Sequence, residues 1–393
     1  MGKVKVLDYV LISTMLVLST FEYFFRAEAL IPVFLICCLV IALYKGLRLE
    51  ILPSILIFSI FVILLIQAVI DEGSTFLRPI YLFLTLLGVY SLAWLTRASF
   101  IRAFTNIILF IAGTSMIIYF LLFIPSVNNY LFNIIAPKFP SLNVESAIFE
   151  GGGKNIIIYN FHANYVSDAI GFLRNCGPFW EPGMFAVFLN LALFFNLIIL
   201  KGSNKANLLL IISLVSTFSA GGYFSFLFIL AGYFLLKKKS SYSIFAIFIL
   251  IFAIYFAMNL EFIGAKILNQ MDNHEVGSDS SRFGAFYTQA IMIRDNLIIG
   301  GGKIEDYVHN SKTLASGLLL PLVKYGMLVG SLIYFCYYKS CKNITSSVLN
   351  INYVGFFLFT VLLVLSFSQT VLTSTAFMTI LFYGLISKKN ETI

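Results

Sequence analysis

The 393-residue chain is 60% hydrophobic and only 11% charged, with a mean hydropathy of +0.95. So few charges cannot cover the polar surfaces of a soluble protein this long, and 42 Phe with 21 Tyr exclude disorder. The net charge of +8 is no nucleic-acid signature, because 15 of the 26 Lys and Arg fall in short gaps that hold only three of the 18 acids, Asp8, Glu50 and Glu391, the asymmetry of the positive-inside rule.

Runs of about 20 apolar residues mark membrane-spanning helices. The pattern predicts them at 7–25, 29–44, 51–70, 76–95, 103–124, 179–200, 206–219, 222–236, 243–260, 315–338, 351–369 and 371–387. Lys3 and Lys5 put the N-terminus in the cytoplasm. Lys45 with Arg48, Arg97 with Arg102, Lys201 with Lys205, Lys237 to Lys239, Lys339 with Lys342, and Lys388 with Lys389 then fall on the same side. A single helix over 206–236 would break that parity. Two short helices meeting at Ser219-Ala220-Gly221-Gly222 preserve it, as full spans or as a re-entrant pair buried in protein. The expected fold is an all-α polytopic membrane protein: one integral membrane domain over 1–393, about twelve spans, both termini cytoplasmic. Glu22 inside the first apolar run, with no small-residue site after it, argues against a cleavable signal. Cys37, Cys38, Cys336 and Cys341 lie in helices or on the cytoplasmic side and Cys176 alone faces outward, so no internal disulfide framework is expected.

Two gaps are long, 125–178 and 261–314, each of 54 residues and both on the outer, periplasmic side. They hold all three histidines, His162, His274 and His309. Short helices are expected within them, at 164–173 and after the capping run Asp279-Ser280-Ser281, the latter ending near Asn296 before Gly300-Gly301-Gly302. Any chemistry belongs on this face.

Six residues there have a bland reading and a functional one. Glu181, before Pro182, either opens a helix or faces a partner or cavity at the apolar boundary. Lys324, about 13 Å into a helix begun at Ala315, either snorkels or pairs with Glu22 or Glu181, or else binds an anion. Arg78, at the outer end of the fourth span, carries the same alternatives. Arg174 and Arg282 are solvated loop charges or phosphate-binding arginines, Arg282 with the added pull of a helix N-terminus. His309 is a loop histidine or a proton acceptor of suitable pKa. Glu181, if paired with Lys324 or an arginine, has its pKa held down and serves better to orient cations than as a base. The histidines lack metal-ligand spacing, so no metal and no cofactor is expected. Gly151-Gly152-Gly153-Lys154 lacks phosphate-loop spacing and is set aside.

Three segments resemble the Wzy-type oligosaccharide repeat-unit polymerases, relatives of the O-antigen ligases. They are Arg174-Asn175-Cys176-Gly177 leading to Glu181-Pro182-Gly183; Ser216-Thr217-Phe218-Ser219-Ala220-Gly221-Gly222; and Ser281-Arg282, Leu297-Ile298-Ile299-Gly300, His309-Asn310 and Lys324-Tyr325-Gly326-Met327-Leu328-Val329-Gly330. Asn296-Leu297 stands where the family often has proline, Ala220 where relatives often have arginine, and Lys324 where the ligases are often acidic. The resemblance implies polymerisation of undecaprenyl-diphosphate-linked oligosaccharides into O-antigen or related surface polysaccharide, at the periplasmic face of a bacterial inner membrane. It implies Arg78, Arg174, Arg282 and Lys324 on the leaving diphosphate, and His309 as base with Glu181 as the alternative. A chain-length regulator and a flippase are the implied protein partners, with membrane lipid around the chain. The competing readings are an O-antigen ligase and, from a different class, a lipid-linked oligosaccharide flippase or other transporter; the long outer loops and lack of an internal repeat count against the transporter.

Overall fold

Each predicted apolar run that falls among the described residues folds as a helix, with 315–338 differing most from its prediction. The computed structural model describes residues 4–21, 30–70, 76–139, 155–161, 173–236, 248, 282–301, 316–346 and 352–386. In chain order the elements are α1 (Val6–Thr20), α2 (Leu30–Tyr44), α3 (Ile51–Ile70), α4 (Leu77–Thr96), α5 (Phe100–Leu121) and α6 (Pro125–Tyr130). A two-stranded hairpin follows, β1 (Asn155–Ile156) with β2 (Tyr159–Asn160), then α7 (Pro182–Phe194), which continues in π-helical geometry over Phe195–Leu200. The rest are α8 (Asn204–Ser216), α9 (Ala220–Leu236), α10 (Arg282–Asp295), α11 (Leu320–Ser346), α12 (Asn352–Ser368) and α13 (Thr375–Leu385). Of the predicted helix at 243–260 only residue 248 is described, and the one at 164–173 falls outside except for Leu173.

Among the described residues, five helices are long and apolar enough to cross a membrane: α3, α4, α5, α7 with its extension, and α11. Six more, α1, α2, α8, α9, α12 and α13, are shorter and apolar. Their outward faces are apolar too. Ile51, Ile55 and Phe58 on α3, and Phe110, Ile117 and Leu121 on α5, are exposed at helical spacing, where a water-facing helix would carry polar residues. These are the features of a mostly helical, membrane-embedded protein.

The chain divides into two compact units, Met1–Glu28 with Ser99–Ala265, and Ala29–Ala98 with Lys266–Ile393. The first is built around α7, whose residues are all buried. Helices α5, α8 and α9 pack on it, and α1 packs on α5. A Cβ at Gly222 would lie 2.6 Å from the Ala186 Cβ, so the start of α9 sits directly on α7, and Asn190 Nδ2 donates to the Gly222 carbonyl at 3.0 Å. Asp8 fastens the start of α1, accepting at Oδ2 from the Ser99 hydroxyl at 2.5 Å and the Lys5 amide at 3.0 Å. The hairpin joins a small cluster of Leu122, Ala136, Tyr159 and Phe161. Burial there pushes the Tyr159 phenol well above its ordinary pKa, with the nearby Cys176 and Tyr119 adding to the rise. It stays a neutral hydroxyl.

In the second unit α2 and α3 pack on α4, and α11 packs against α3, α10, α12 and α13. The approach of α2 to α4 is close, since a Cβ at Gly88 would lie 2.5 Å from the Leu35 Cβ. Helix α11 is not a straight rod. Gly326, at φ 71° and ψ 175°, separates a short arm, 320–325, from a long arm, 327–346. The arms fold back on each other: a Cβ at Gly330 would lie 2.8 Å from the Leu322 Cα, and the Tyr334 hydroxyl donates to the Leu318 carbonyl. Along a straight helix those two Cα atoms would be about 12 Å apart. This departs from the continuous helix expected over 315–338, because Ser316 to Leu319 are non-helical and Lys324 lies on the short arm beside the reversal. The long arm still measures about 30 Å.

Candidate functional site

In the first unit, Arg174 to Glu181 is strung between two supports. One is the end of α8, where Phe218 takes a left-handed φ of 45° and stops the helix. A stopped helix leaves its last carbonyls without partners. Asn175 fills one place, its N–H donating to the Ser216 carbonyl at 2.9 Å while its Nδ2 donates to the Ser216 hydroxyl at 3.0 Å. Arg174 Nε donates to the Thr217 carbonyl at 3.2 Å, placing a cation at the negative end of the helix dipole. The Tyr223 hydroxyl donates to the Val215 carbonyl at 2.5 Å. The predicted junction at 219–222 therefore lies slightly earlier, at Thr217–Ser219, and Ala220-Gly221-Gly222 is the first turn of α9.

The second support is the hairpin. The Asn160 N–H donates to the Gly177 carbonyl at 2.7 Å, and its Nδ2 donates to the carbonyls of Phe179 at 3.0 Å and Trp180 at 3.2 Å. Within the run, the Gly177 N–H donates to Asn175 Oδ1 at 2.9 Å. Phe179 stacks on Phe185 and Phe188, ring centroids 5.3 and 5.0 Å away. Glu181 comes out half-buried at the N-cap of α7, in extended backbone, and its carboxylate does not bond back to the first turn. The ion pair expected between Glu181 and an arginine is not formed with Arg174, the arginine nearest it in sequence.

In the second unit, the reversal at Gly326 interlocks with Leu297 to Gly301. The Gly301 N–H donates to the Val323 carbonyl and the Met327 N–H to the Leu297 carbonyl, both at 2.8 Å. Gln67 on α3 ties the two together, its Nε2 donating to the carbonyls of Ile299 and Lys324, each at 2.8 Å. A Cβ at Gly326 would overlap the Ile298 carbonyl, one at Gly300 the Gly326 nitrogen, and one at Gly301 the Gln67 amide. Glycine is therefore required at all three. Lys324 is half-buried here. Arg78, in the first turn of α4, is exposed and close enough to interact electrostatically with Lys324 and Tyr325. Arg282 is the first residue of α10 and is described in its backbone alone; His309, His162 and His274 lie outside the described residues.

Two of the three quoted segments thus meet in the first unit, and in the second the third brings residues 297–300 to residues 324–327, with Arg282 at the other end of α10. Sequence reasoning missed Asn160, Gln67 and Tyr223 as the side chains that hold these junctions. Gln67 left a signal, an amide inside an otherwise apolar run; Asn160 lies in a mixed run, between Tyr159 and Phe161, and left none. Among the described residues no group of three or more His, Cys, Asp or Glu could hold a metal ion. No family model, no curated protein and no solved structure matches the chain.

Proposed function

We propose that the protein is an oligosaccharide repeat-unit polymerase of the Wzy type, joining undecaprenyl-diphosphate-linked units at the periplasmic face of a bacterial inner membrane. One observation carries the reading: segments singled out together by resemblance are neighbours through their own motif residues. Asn175 bonds to Ser216, 41 residues on, and Leu297 to Gly301 locks onto Val323 to Met327. In this reading the chain crosses the membrane about twelve times with both termini inside, and the segments after 125 and 261 face outward.

The reaction needs positive charge where the diphosphate leaves and a base for the attacking hydroxyl. The bond from the donor sugar's anomeric carbon to the diphosphate oxygen breaks. The acceptor hydroxyl oxygen bonds to that carbon, and its proton passes to His309. Arg78 and Lys324 lie close enough to interact electrostatically, and in this reading their positive charge serves the departing diphosphate. Arg174 and Arg282 add guanidinium forks suited to phosphate. Glu181 is the alternative base.

The test is the purified protein in liposomes with a synthetic lipid-diphosphate-linked unit, products separated on a gel. Wild type should give a ladder. His309→Ala should abolish it with donor binding near wild type, whereas Glu181→Gln should weaken both. Normal polymerisation by His309→Ala, with Glu181→Gln binding donor but not reacting, would reverse the two roles. The break in α11 is a specific observation in favour of a transporter, whose sites are commonly built at discontinuous helices. Movement of lipid-linked units across sealed vesicles without joining would establish that reading instead. In cells, loss of a polymerase leaves single-unit lipopolysaccharide, while loss of a ligase leaves none.

A further inference from the structure

Among the described residues of the second unit, four buried side-chain atoms have no hydrogen-bond partner: Thr288 Oγ1 and Gln289 Oε1 on α10, Ser316 Oγ just before α11, and Ser366 Oγ near the end of α12. All four residues are at most 3% exposed. Backbone ties bring three of them to one junction. Gln289 Nε2 donates to the Ser316 carbonyl at 2.7 Å, and the next residue, Gly317, donates its N–H to the Ser366 carbonyl at 2.9 Å. The rings of Phe286 and Phe367 meet beside them at 6.3 Å, whereas Thr288 follows a different side of α10 from Gln289.

A buried polar atom without a partner carries its whole desolvation penalty, and four together would offset much of a domain's net stability. The atoms themselves indicate what completes them. The Gln289 amide nitrogen is committed to the Ser316 carbonyl, so Oε1 can only accept. The two serine hydroxyls each have a proton to give and lone pairs to receive. A cation would satisfy the oxygens and strand the hydroxyl protons. An anion would take the protons and be repelled by Oε1. A neutral hydroxyl does both jobs.

We propose that α10, the 316–317 segment and α12 form a binding site for one neutral hydroxyl group, with Gln289 Oε1 as acceptor and the hydroxyls of Ser316 and Ser366 around it. The hydroxyl comes from water or from a bound sugar. Either can serve all three atoms: a sugar hydroxyl donates one bond and accepts two, and water can donate a second as well. The sugar source rests on the polymerase reading, and the water source does not.

The test turns on a sign. If the serine hydroxyls had no partner, Ser316→Ala/Ser366→Ala would remove two unmet polar groups and raise the melting temperature. If they hold a hydroxyl, the double variant removes bonds and melts lower. Full-length protein in nanodiscs would be melted with and without free galactose, rhamnose or N-acetylglucosamine, in sodium chloride and in choline chloride. We expect the double variant to melt several degrees below wild type in both salts. Equal melting with and without sugars assigns the hydroxyl to water, and a sugar-induced rise seen in wild type alone assigns it to the glycan. A variant melting at or above wild type overturns the site. So does a sodium-dependent rise in wild type that the variant lacks, which would mark a cation. If the double variant does not accumulate, each single serine-to-alanine variant is read by the same sign. A failed polymerisation assay alongside a lowered melting temperature would sink the polymerase reading and leave the site standing.

Discussion

The loose end in the first unit is a helix terminus. Helix α8 stops at Ser216, and its final carbonyls accept from Asn175, from the Arg174 guanidinium and from the Tyr223 hydroxyl. The loose end in the second unit is a break inside α11, where the carbonyls of Val323 and Lys324 accept from the Gly301 N–H and the Gln67 amide. A cation helps hold the first junction, whereas neutral groups hold the second. Charge and structure are therefore entangled in Arg174. They are separable in Lys324, whose backbone is fixed by Gln67 and whose ammonium takes no part in the interlock. A loss of activity means different things at the two positions.

The comparison is broken or sharpened most strongly at Gly326. Gly326→Ala puts a Cβ into the Ile298 carbonyl, at a backbone geometry that only glycine adopts without strain. Folded protein should be lost from membranes, read as the monodisperse peak in size-exclusion chromatography. Survival of that peak would mean that the reversal is not part of the stable fold.

Next comes the pair of cations. If the proposed polymerase reading holds, Lys324→Ala should leave the melting temperature near wild type and slow polymerisation by about a hundred- to a thousand-fold, the usual scale for a lost transition-state charge contact. Arg174→Ala should slow it similarly and also cost about 1–3 kcal/mol of stability, because the Thr217 carbonyl loses its donor. Arg174→Lys keeps the charge and should still fail. Equal melting of the two alanine variants would erase the distinction between the junctions. At matched expression, wild-type ladders from Arg282→Ala would remove Arg282 from the mechanism.

Gln67→Leu should destabilise by about 1–3 kcal/mol, as two carbonyls lose their shared donor. Its unfolding midpoint in denaturant measures this, and an unchanged midpoint would show that the glycine contacts alone hold the reversal. The smallest effect belongs to Ser203→Ala. It removes the N-cap bond to the Ala206 amide at the far end of α8, costs about 0.5–2 kcal/mol and should leave polymer ladders unchanged. Shortened ladders would mean that α8 transmits strain to its other end.

What could be read from the sequence follows from how strongly each feature is written there. Long apolar runs such as 51–70 allow one answer, and α3 matches it to the residue. The division of 206–236 was legible because Lys201 and Lys237 fix opposite ends of a parity argument, although its position depended on Phe218, whose left-handed backbone no residue preference announces. The reversal of α11 was hidden by composition: Gly326 inside an apolar run is ordinarily tolerated in a helix. Its meaning comes from partners far away in the chain, Gln67 and Ile298. The hairpin at Asn155–Asn160 was hidden for the opposite reason, as strands of two residues carry no periodicity. Arg174 was found as a charge, but its bond to Thr217 depends on where α8 ends.

The folded-back arm of α11 also constrains how the protein is made. Six residues, 320–325, extend only about 9 Å as a helix, too short to partition into a bilayer as a span of their own. Their place is set by neighbouring protein rather than by hydropathy. Gln67 and Leu297 to Gly301 are all synthesised before Gly326. The ribosome therefore delivers the catch before the latch: the hydrogen bonds at the break have all their partners once Met327 emerges, while the packing of the two arms waits for Gly330 and Tyr334.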